Sequence, residues 1–506
     1  LRGGTREVGA NCEKTDKLPG VPERSYVHQV IASQFDQNTA YVCFNHHRYG
    51  DFKPYLLKTT DGGKSWQSIA ATLPERGSVY SVAEDHVDRN LLFCGTEFGV
   101  FFSPDGGENW VQLKSGLPTV AVRDIEIQRR ENDLVLATFG RGFYVLDDYS
   151  PLRQVKGGTL DKAAEILPVK DAWMFIPNMP LGLRDKGHMG SSYYAAPNPP
   201  AGAVFTYWLK EDIKTLKAKR QEEEKAKADK KETVYYPDME ALRKEDEQPE
   251  PYLLFTIRDA SGDVVRHLKT DASKGLKRIV WDFRYNTPAP VTSRYTPAPD
   301  QLFGDSEKGH LAIPGTYSVS ISKFEDGELS QIAGPVNFTA KSLNNATLAA
   351  TDQKAYLDFC KKAARLRKSV SAISQIHGEL STQLGQYQQA MLDMPAPPQE
   401  ALKKSYEIKK QLNQLSLQLF GDGTRARREF ETAPNINDRV GLLLYGMWNS
   451  TSAPTQTYEE SYRIAVKQFN PLLDALKAVS RDLDALGSQL EQNGAPSTPG
   501  RWPERL

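Results

Sequence analysis

Short apolar runs of strand length, each closed by a glycine-rich turn, fill the opening of the chain. One set runs through 79–82, 91–96 and 99–102; the next runs through 122–125, 134–138 and 142–145 and ends at Asp147 and Asp148. An earlier copy occupies 28–31, 40–43 and 55–58. Runs of this length recurring about every 43 residues predict consecutive four-stranded sheets of the kind that make β-propeller blades. About three blades are expected over 1–152. Closed propellers need at least about four, so the expectation is an incomplete ring, its missing blades coming from upstream sequence or from another chain.

Beyond the repeats the pattern changes twice. The stretch 153–200 carries Ala172-Trp173-Met174-Phe175-Ile176 and then a Gly/Pro-rich segment, which predicts a connecting strap. Six β-rich runs follow at 202–209, 252–257, 264–268, 278–283, 315–322 and 334–340, with a hairpin turn at Asp259-Ala260-Ser261-Gly262. Short strands between turn residues predict an immunoglobulin-like β-sandwich over 201–345. Its insertion 211–250 is dominated by Lys and Glu, and reads as a solvated helix or disordered segment, with a docking arm as the functional alternative.

From 346 to 492 the period becomes helical. Leu366, Val370, Ile373, His377, Leu380, Leu384, Tyr387 and Met391 fall at steps of four and three, as do the apolar positions from Tyr458 to Leu490 and from Ala401 to Leu419. Each series places one apolar seam on a helix that has to be buried against another, which predicts an antiparallel helical bundle. A shorter helix is expected over 440–448. Thr457 and Glu460 suggest a capping box for the last helix, and Pro471 a kink or break within it. His377 reads as a partly exposed packing residue of the first seam. The tail 493–506 is expected to be flexible.

The 64 basic and 64 acidic residues of the 506 balance, so no global field attracts nucleic acid or an anionic membrane. No run of about 18 apolar residues is present, which excludes a transmembrane helix. Cys12, Cys43, Cys94 and Cys360 are too scattered for a disulfide framework or a zinc site, and no metal or cofactor pattern stands out.

Two turns read alike: Thr59-Thr60-Asp61-Gly62-Gly63-Lys64-Ser65-Trp66 and Ser103-Pro104-Asp105-Gly106-Gly107-Glu108-Asn109-Trp110. The aspartate side chain accepts from backbone amides ahead of it, the glycines supply positive φ, and the tryptophan offers an apolar plate between sheets. These segments resemble the Asp-box repeats of sialidases, xyloglucanase-type hydrolases and sortilin-type receptors. The wider text is similar to a bacterial group of exported, sortilin-like BNR-repeat proteins often labelled glycosyl hydrolases. The phrases that carry this are Val21-Pro22-Glu23-Arg24-Ser25-Tyr26-Val27, Asp51-Phe52-Lys53-Pro54-Tyr55, the run 91–100, the run 143–148, Trp281-Asp282-Phe283-Arg284-Tyr285 and Pro314-Gly315-Thr316-Tyr317. The resemblance implies export and a structural role for the Asp boxes: Asp61, Gly63 and Trp66 in one, Asp105, Gly107 and Trp110 in the other.

Ligands of propellers usually meet the opposite face, at the connections between second and third strands. Those connections are 45–53, Glu97-Phe98 and Gly140-Arg141. The first is the longest and carries His46, His47, Arg48, Tyr49 and Asp51, which together with Glu97 and Arg141 are the candidate ligand-binding residues. Glycoside hydrolysis needs two carboxylates at a defined separation. Asp51, Glu97 and Asp124 are available acids and Arg48, Arg123 and Arg141 available cations, but no spacing identifies a catalytic pair. The expected function is recognition or assembly through a peptide, protein or glycan ligand, with a glycoside hydrolase acting on a polysaccharide or sialoside as the alternative.

Overall fold

The computed structural model describes residues 18–114, 116–177, 196–290, 308–346, 348–396 and 398–502. It is built mostly of antiparallel β-sheets followed by helices, and divides into two compact units. The first takes in the described residues through Ala172 with Pro197–Trp281 and Thr316–Thr339; the second takes in the other described residues, chiefly those from Ala340 onward.

Three antiparallel sheets open the first unit. Strands β1 (Tyr26–Ala32), β2 (Ala40–His46), β3 (Asp51–Thr59) and β4 (Gln67–Ser68) lie in chain order, as do β5 (Val79–Glu84), β6 (Leu92–Thr96), β7 (Gly99–Ser103) and β8 (Val111–Leu113). The third sheet, β9 (Val122–Gln128), β10 (Asp133–Thr138) and β11 (Phe143–Leu146), has three strands where four were expected. The turn chemistry accounts for the difference. After β3 and β7 the turns that carry Asp61 and Asp105 bring the chain back as a fourth strand. After β11, Asp148 has φ +40° and accepts from the Ser150 hydroxyl, sending the chain into a helical turn at Ser150–Gln154.

Alternation within each strand assigns its two faces. Tyr41, Cys43 and Leu56 of the first sheet pack on Val82, Leu92, Cys94 and Phe101 of the second. Phe93, Val100 and Phe102, on the other face of the second sheet, pack on Ile125, Leu134 and Leu136 of the third. The far face of the third sheet is different: Phe143 is 77% and Val145 54% exposed. Cys43 and Cys94 are free and buried in the first of these cores.

The stretch expected to be a strap contains strands of its own, β12 (Ala164–Ile166) and β13 (Ala172–Met174). β12 pairs with β14 (Ala203–Leu209), which also pairs with β17 (Gly275–Trp281). β15 (Tyr252–Asp259) and β16 (Val264–Asp271) form the expected hairpin around Asp259, and β15 also pairs with β18 (Gly315–Glu325), which precedes β19 (Glu328–Ser342). The two sheets meet through aromatic rings: Phe205 lies 5.2 Å from Phe338 and Trp281 5.0 Å from Tyr317. The charged insertion forms two helices, α1 (Leu216–Asp229) and α2 (Met239–Glu247), neither with a buried residue. Arg220 ties them, reaching Glu245 on α2 and Glu224 on α1.

The second unit carries α3 (Gln353–Leu392), α4 (Gln399–Phe420), the single turn α5 (Gly423–Ala426), α6 (Ile436–Met447) and α7 (Gln456–Gln492). The seam positions of α3 and α4 are all buried, and those of α7 are buried or half-buried. Three local expectations need correction. Thr455, not Thr457, caps α7: its backbone is extended and its hydroxyl accepts from the Tyr458 amide. Pro471 does not interrupt α7. The tail, expected to be flexible, is engaged at Arg501, which donates to the Tyr387 hydroxyl and pairs with Glu491. His377 is buried, its Nε2 2.9 Å from the Leu412 carbonyl oxygen.

Candidate functional site

The first strand of each of the three opening sheets contains a β-bulge at the same place. The register skips His28 between Val27 and Gln29, Tyr80 between Val79 and Ser81, and Arg123 between Val122 and Asp124. A bulge re-aims one side chain out of the alternating pattern. Here the three re-aimed side chains meet in a row. The His28 and Tyr80 rings lie 5.0 Å apart edge to face, and the Arg123 guanidinium sits 3.9 Å from the Tyr80 centroid and 5.1 Å from that of Phe139.

Backbone bonds hold the surrounding connections in place. The Glu97 amide donates to the Ser78 carbonyl, the Phe139 amide to that of Ala121, and the Gly77 amide to that of Phe52. Gln29 crosses all three sheets: its Oε1 accepts from the Val82 amide at 2.7 Å and its Nε2 lies 3.5 Å from Asp124 Oδ1. His28 Nδ1, Glu97 Oε2 and Arg123 Nε are among the polar atoms here that are buried and have no hydrogen-bond partner among the described residues. Unpaired buried polar atoms are costly, so each of these is a place where water or a further group would be bound.

The electrostatics follow from this packing. Burial lowers the His28 pKa, and the nearby Arg123 and His47 push it the same way against Asp124. Burial and the Glu97 carboxylate raise that of Tyr80. His28 is therefore a neutral imidazole and Tyr80 a neutral phenol at neutral pH, suited to hydrogen bonding and stacking rather than to nucleophilic attack.

Of the sequence-derived candidates, Glu97 lies near enough to act electrostatically on Tyr80, and the exposed His47 on His28. His46 stacks on Tyr49 at 4.4 Å, with its Nδ1 3.1 Å from the Ser25 hydroxyl. Asp51 turns inward on its own strand: it accepts from the Tyr55 hydroxyl at 2.6 Å and the Lys53 amide at 3.1 Å. The Tyr55 bond foremost, with the Lys53 amide, lowers the Asp51 pKa, so this carboxyl is not a proton donor at neutral pH. Arg48 and Arg141 are exposed. Aromatic rings mark each of the three connections, with Tyr49 60%, Phe98 46% and Phe139 69% exposed. His28, Tyr80 and the bulge role of Arg123 escaped the sequence reading. Tyr80 and Arg123 do lie one repeat apart, at a position where the strand pattern otherwise alternates.

Asp61, Gly63 and Trp66 lie in the β3–β4 turn and Asp105, Gly107 and Trp110 in the β7–β8 turn, and the side-chain bonds of the two aspartates are local. Asp61 Oδ1 accepts from the Ser65 amide and Oδ2 from its hydroxyl, while the Thr59 hydroxyl donates to Oδ1 and accepts from the Gly63 amide. Asp105 repeats the set with Asn109, Ser103 and Gly107. The Ser65 bonds hold the Asp61 pKa at about 2. Among the described residues no cluster of three His, Cys, Asp or Glu side chains could hold a metal ion, and no helix is long and apolar enough to cross a membrane.

No family model and no curated protein matches the chain. Solved structures give partial superpositions. An extracellular domain from B. thetaiotaomicron, described as part of a hybrid two-component system, is 8% identical with a TM-score of 0.21, over 62% of this chain and 32% of that one. The GH74 xyloglucanase from Xanthomonas campestris is 12% identical with a TM-score of 0.20, over 65% and 39%. An ancestral GH74 enzyme is 11% identical with a TM-score of 0.20, over 65% and 37%. The chain thus spans roughly a third of the length of these structures. Superpositions this partial leave the chemistry of the site to be argued from its own residues.

Proposed function

We propose that this chain belongs to an exported Asp-box β-propeller protein of the sortilin-like, BNR-repeat kind, and that it acts in recognition. In this reading the three opening sheets are propeller blades, the two aromatic-packed sheets an immunoglobulin-like sandwich, and the helices a docking bundle. The exposed Phe143 and Val145 support further blades seated on the third sheet, from upstream sequence or another chain.

One observation carries the reading: equivalent bulges of three successive sheets aim His28, Tyr80 and Arg123 into one row, beside buried polar atoms without partners. Exposed rings at Tyr49, Phe98 and Phe139 add stacking area. Flat apolar faces beside unpaired donors and acceptors suit a peptide, protein or glycan ligand. The alternative, a glycoside hydrolase, is favoured by one feature, the buried and unpartnered Glu97 Oε2. Against it, Asp51 is held as an ionised carboxylate, unlike a general acid.

The test is a screen of the protein against arrayed polysaccharides, sialosides and a peptide library, repeated with Arg123→Ala and Tyr80→Leu. Binding lost in both variants, with melting temperature retained, supports the recognition site. Binding unaffected by either variant overturns it. Turnover of a polysaccharide or sialoside that Glu97→Gln abolishes selects the hydrolase instead.

A further inference from the structure

The second compact unit buries a histidine besides His377. His310 is 4% exposed, and neither ring nitrogen has a hydrogen-bond partner among the described residues. Its ring is stacked on Tyr285 at 4.3 Å and an interplanar angle of 15°, and meets Trp448 edge to face at 5.4 Å. The segment that carries it is fastened in two ways. The Tyr285 amide donates to the His310 carbonyl and the Ala312 amide to that of Phe283, making a short antiparallel ladder. At the end of α6, Trp448 Nε1 donates to the Lys308 carbonyl at 2.7 Å, and Arg284 donates to the carbonyls of both Gly309 and Trp448 at 3.1 Å. The histidine thus sits inside the fastening that holds 308–312 to the helices.

Among the described residues, the two charged groups that act on it are both cationic. Arg284 faces it from the paired segment and Lys361 from α3; the end of α6 presents the Trp448 ring, and no carboxylate among the described residues acts on it. Burial, then Lys361 and Arg284, lower its pKa to about 4. A neutral imidazole is tolerated here as an aromatic plate. An imidazolium would need a partner for each N–H and would bury a positive charge beside Lys361 and Arg284.

We propose that His310 is an acid-sensitive latch, whose protonation releases the 308–312 segment from Trp448 and from the end of α6. The unfastened state binds the proton more tightly than the fastened one, so acid favours release and neutral pH favours closure.

Two measurements on the full chain test this. Hydrogen exchange, corrected for the intrinsic pH dependence of amide chemistry, is followed in peptides covering 308–313 and 444–450 at pH 7.5 and pH 4.5. Exchange at least about tenfold faster at the lower pH is expected, with the difference absent in His310→Phe, which keeps the stacked ring and cannot take a proton. Equal acceleration in the variant overturns the proposal. Should His310→Phe fail to fold, the imidazole resonances of the unmutated protein decide. A His310 signal that stays neutral until the segment opens in acid supports the latch, whereas titration near pH 6.5 with the segment still protected overturns it.

Discussion

Trp110 donates its indole Nε1 hydrogen to the Ile69 carbonyl oxygen at 2.7 Å, fastening the β7–β8 turn of the second sheet to the end of the first. Its repeat counterpart, Trp66, has a buried Nε1 with no partner among the described residues. The same residue type at the same motif position therefore does different work in the two sheets. Trp110→Phe removes one buried bond while keeping most of the apolar plate, and should cost about 1–2 kcal/mol. Trp66→Phe has no such bond to lose and should cost less. Urea unfolding of the two variants, compared at the transition midpoint, checks the order.

The glycines of the two boxes make a parallel contrast. Gly107 has φ +104°, and an added Cβ would lie 2.8 Å from the Ile69 Cβ; Gly63 has φ +90° with its nearest contact at 3.8 Å. Both Gly→Ala changes should lose about 1–2 kcal/mol to the left-handed backbone. Gly107→Ala should lose about 1–3 kcal/mol more, because the first sheet has to move aside. Equal losses in thermal unfolding would show that the two sheets are not packed as closely as described.

Asp85 is fully buried and gathers the chain that leaves the third sheet. It accepts from the Tyr149 hydroxyl at 2.5 Å and from Arg153 at 2.8 and 2.9 Å, and Arg153 also reaches Asn132. Burial alone would raise its pKa, but the Arg153 and Tyr149 bonds override it and leave the carboxyl below its ordinary value. A depressed folded-state pKa means that the stabilisation is present above the unfolded value of about 3.9 and is lost as pH falls through the folded one. Asp85→Ala removes the charged partner of the half-buried Arg153 guanidinium and should cost about 2–3 kcal/mol at pH 7. The gap between variant and parent should narrow in acid, below about pH 4. Denaturant melts at pH 7 and pH 3 measure both effects.

That network also shows where the sequence stops being legible. The helical seams could be read because burial on a helix repeats every three or four positions, and Leu366, Val370, Ile373 and His377 obey that spacing. The opening sheets could be read because strand runs recur at a fixed interval. Asp85 and Arg153 meet across most of two repeats, and charge pairing at that distance leaves no local trace. β12 is three residues long, too short for alternation to register. At the site, the connections that carry Glu97 and His47 were visible as interruptions of the strand pattern. The row of His28, Tyr80 and Arg123 depends on bulges, which are set by inter-strand register rather than by composition.

Gly487 should behave against its helix propensity. It lies within α7, where Gly→Ala ordinarily stabilises by about 0.5–1 kcal/mol. Here the missing Cβ is the space the tail uses: a methyl group would run into the Arg501 guanidinium and the Tyr387 hydroxyl. Arg501 donates to that hydroxyl at 3.1 Å and pairs with Glu491 at 2.6 Å, and the hydroxyl also accepts from Gln383 at 2.7 Å. The substitution therefore sets a helix gain against loss of the tail's seat. The guanidinium is the end of a flexible side chain and can leave, whereas the Tyr387 hydroxyl, carried on a buried ring, has to shift slightly, at a cost that offsets the helix gain. The expected outcome is a bundle of nearly unchanged melting temperature from which the segment 494–502 has detached. Limited trypsin digestion reads this directly, as cleavage after Arg501 at least about tenfold faster than in the parent, the factor set by about 1.4 kcal/mol of lost docking. Unchanged cleavage would mean that the tail is held by contacts other than Arg501.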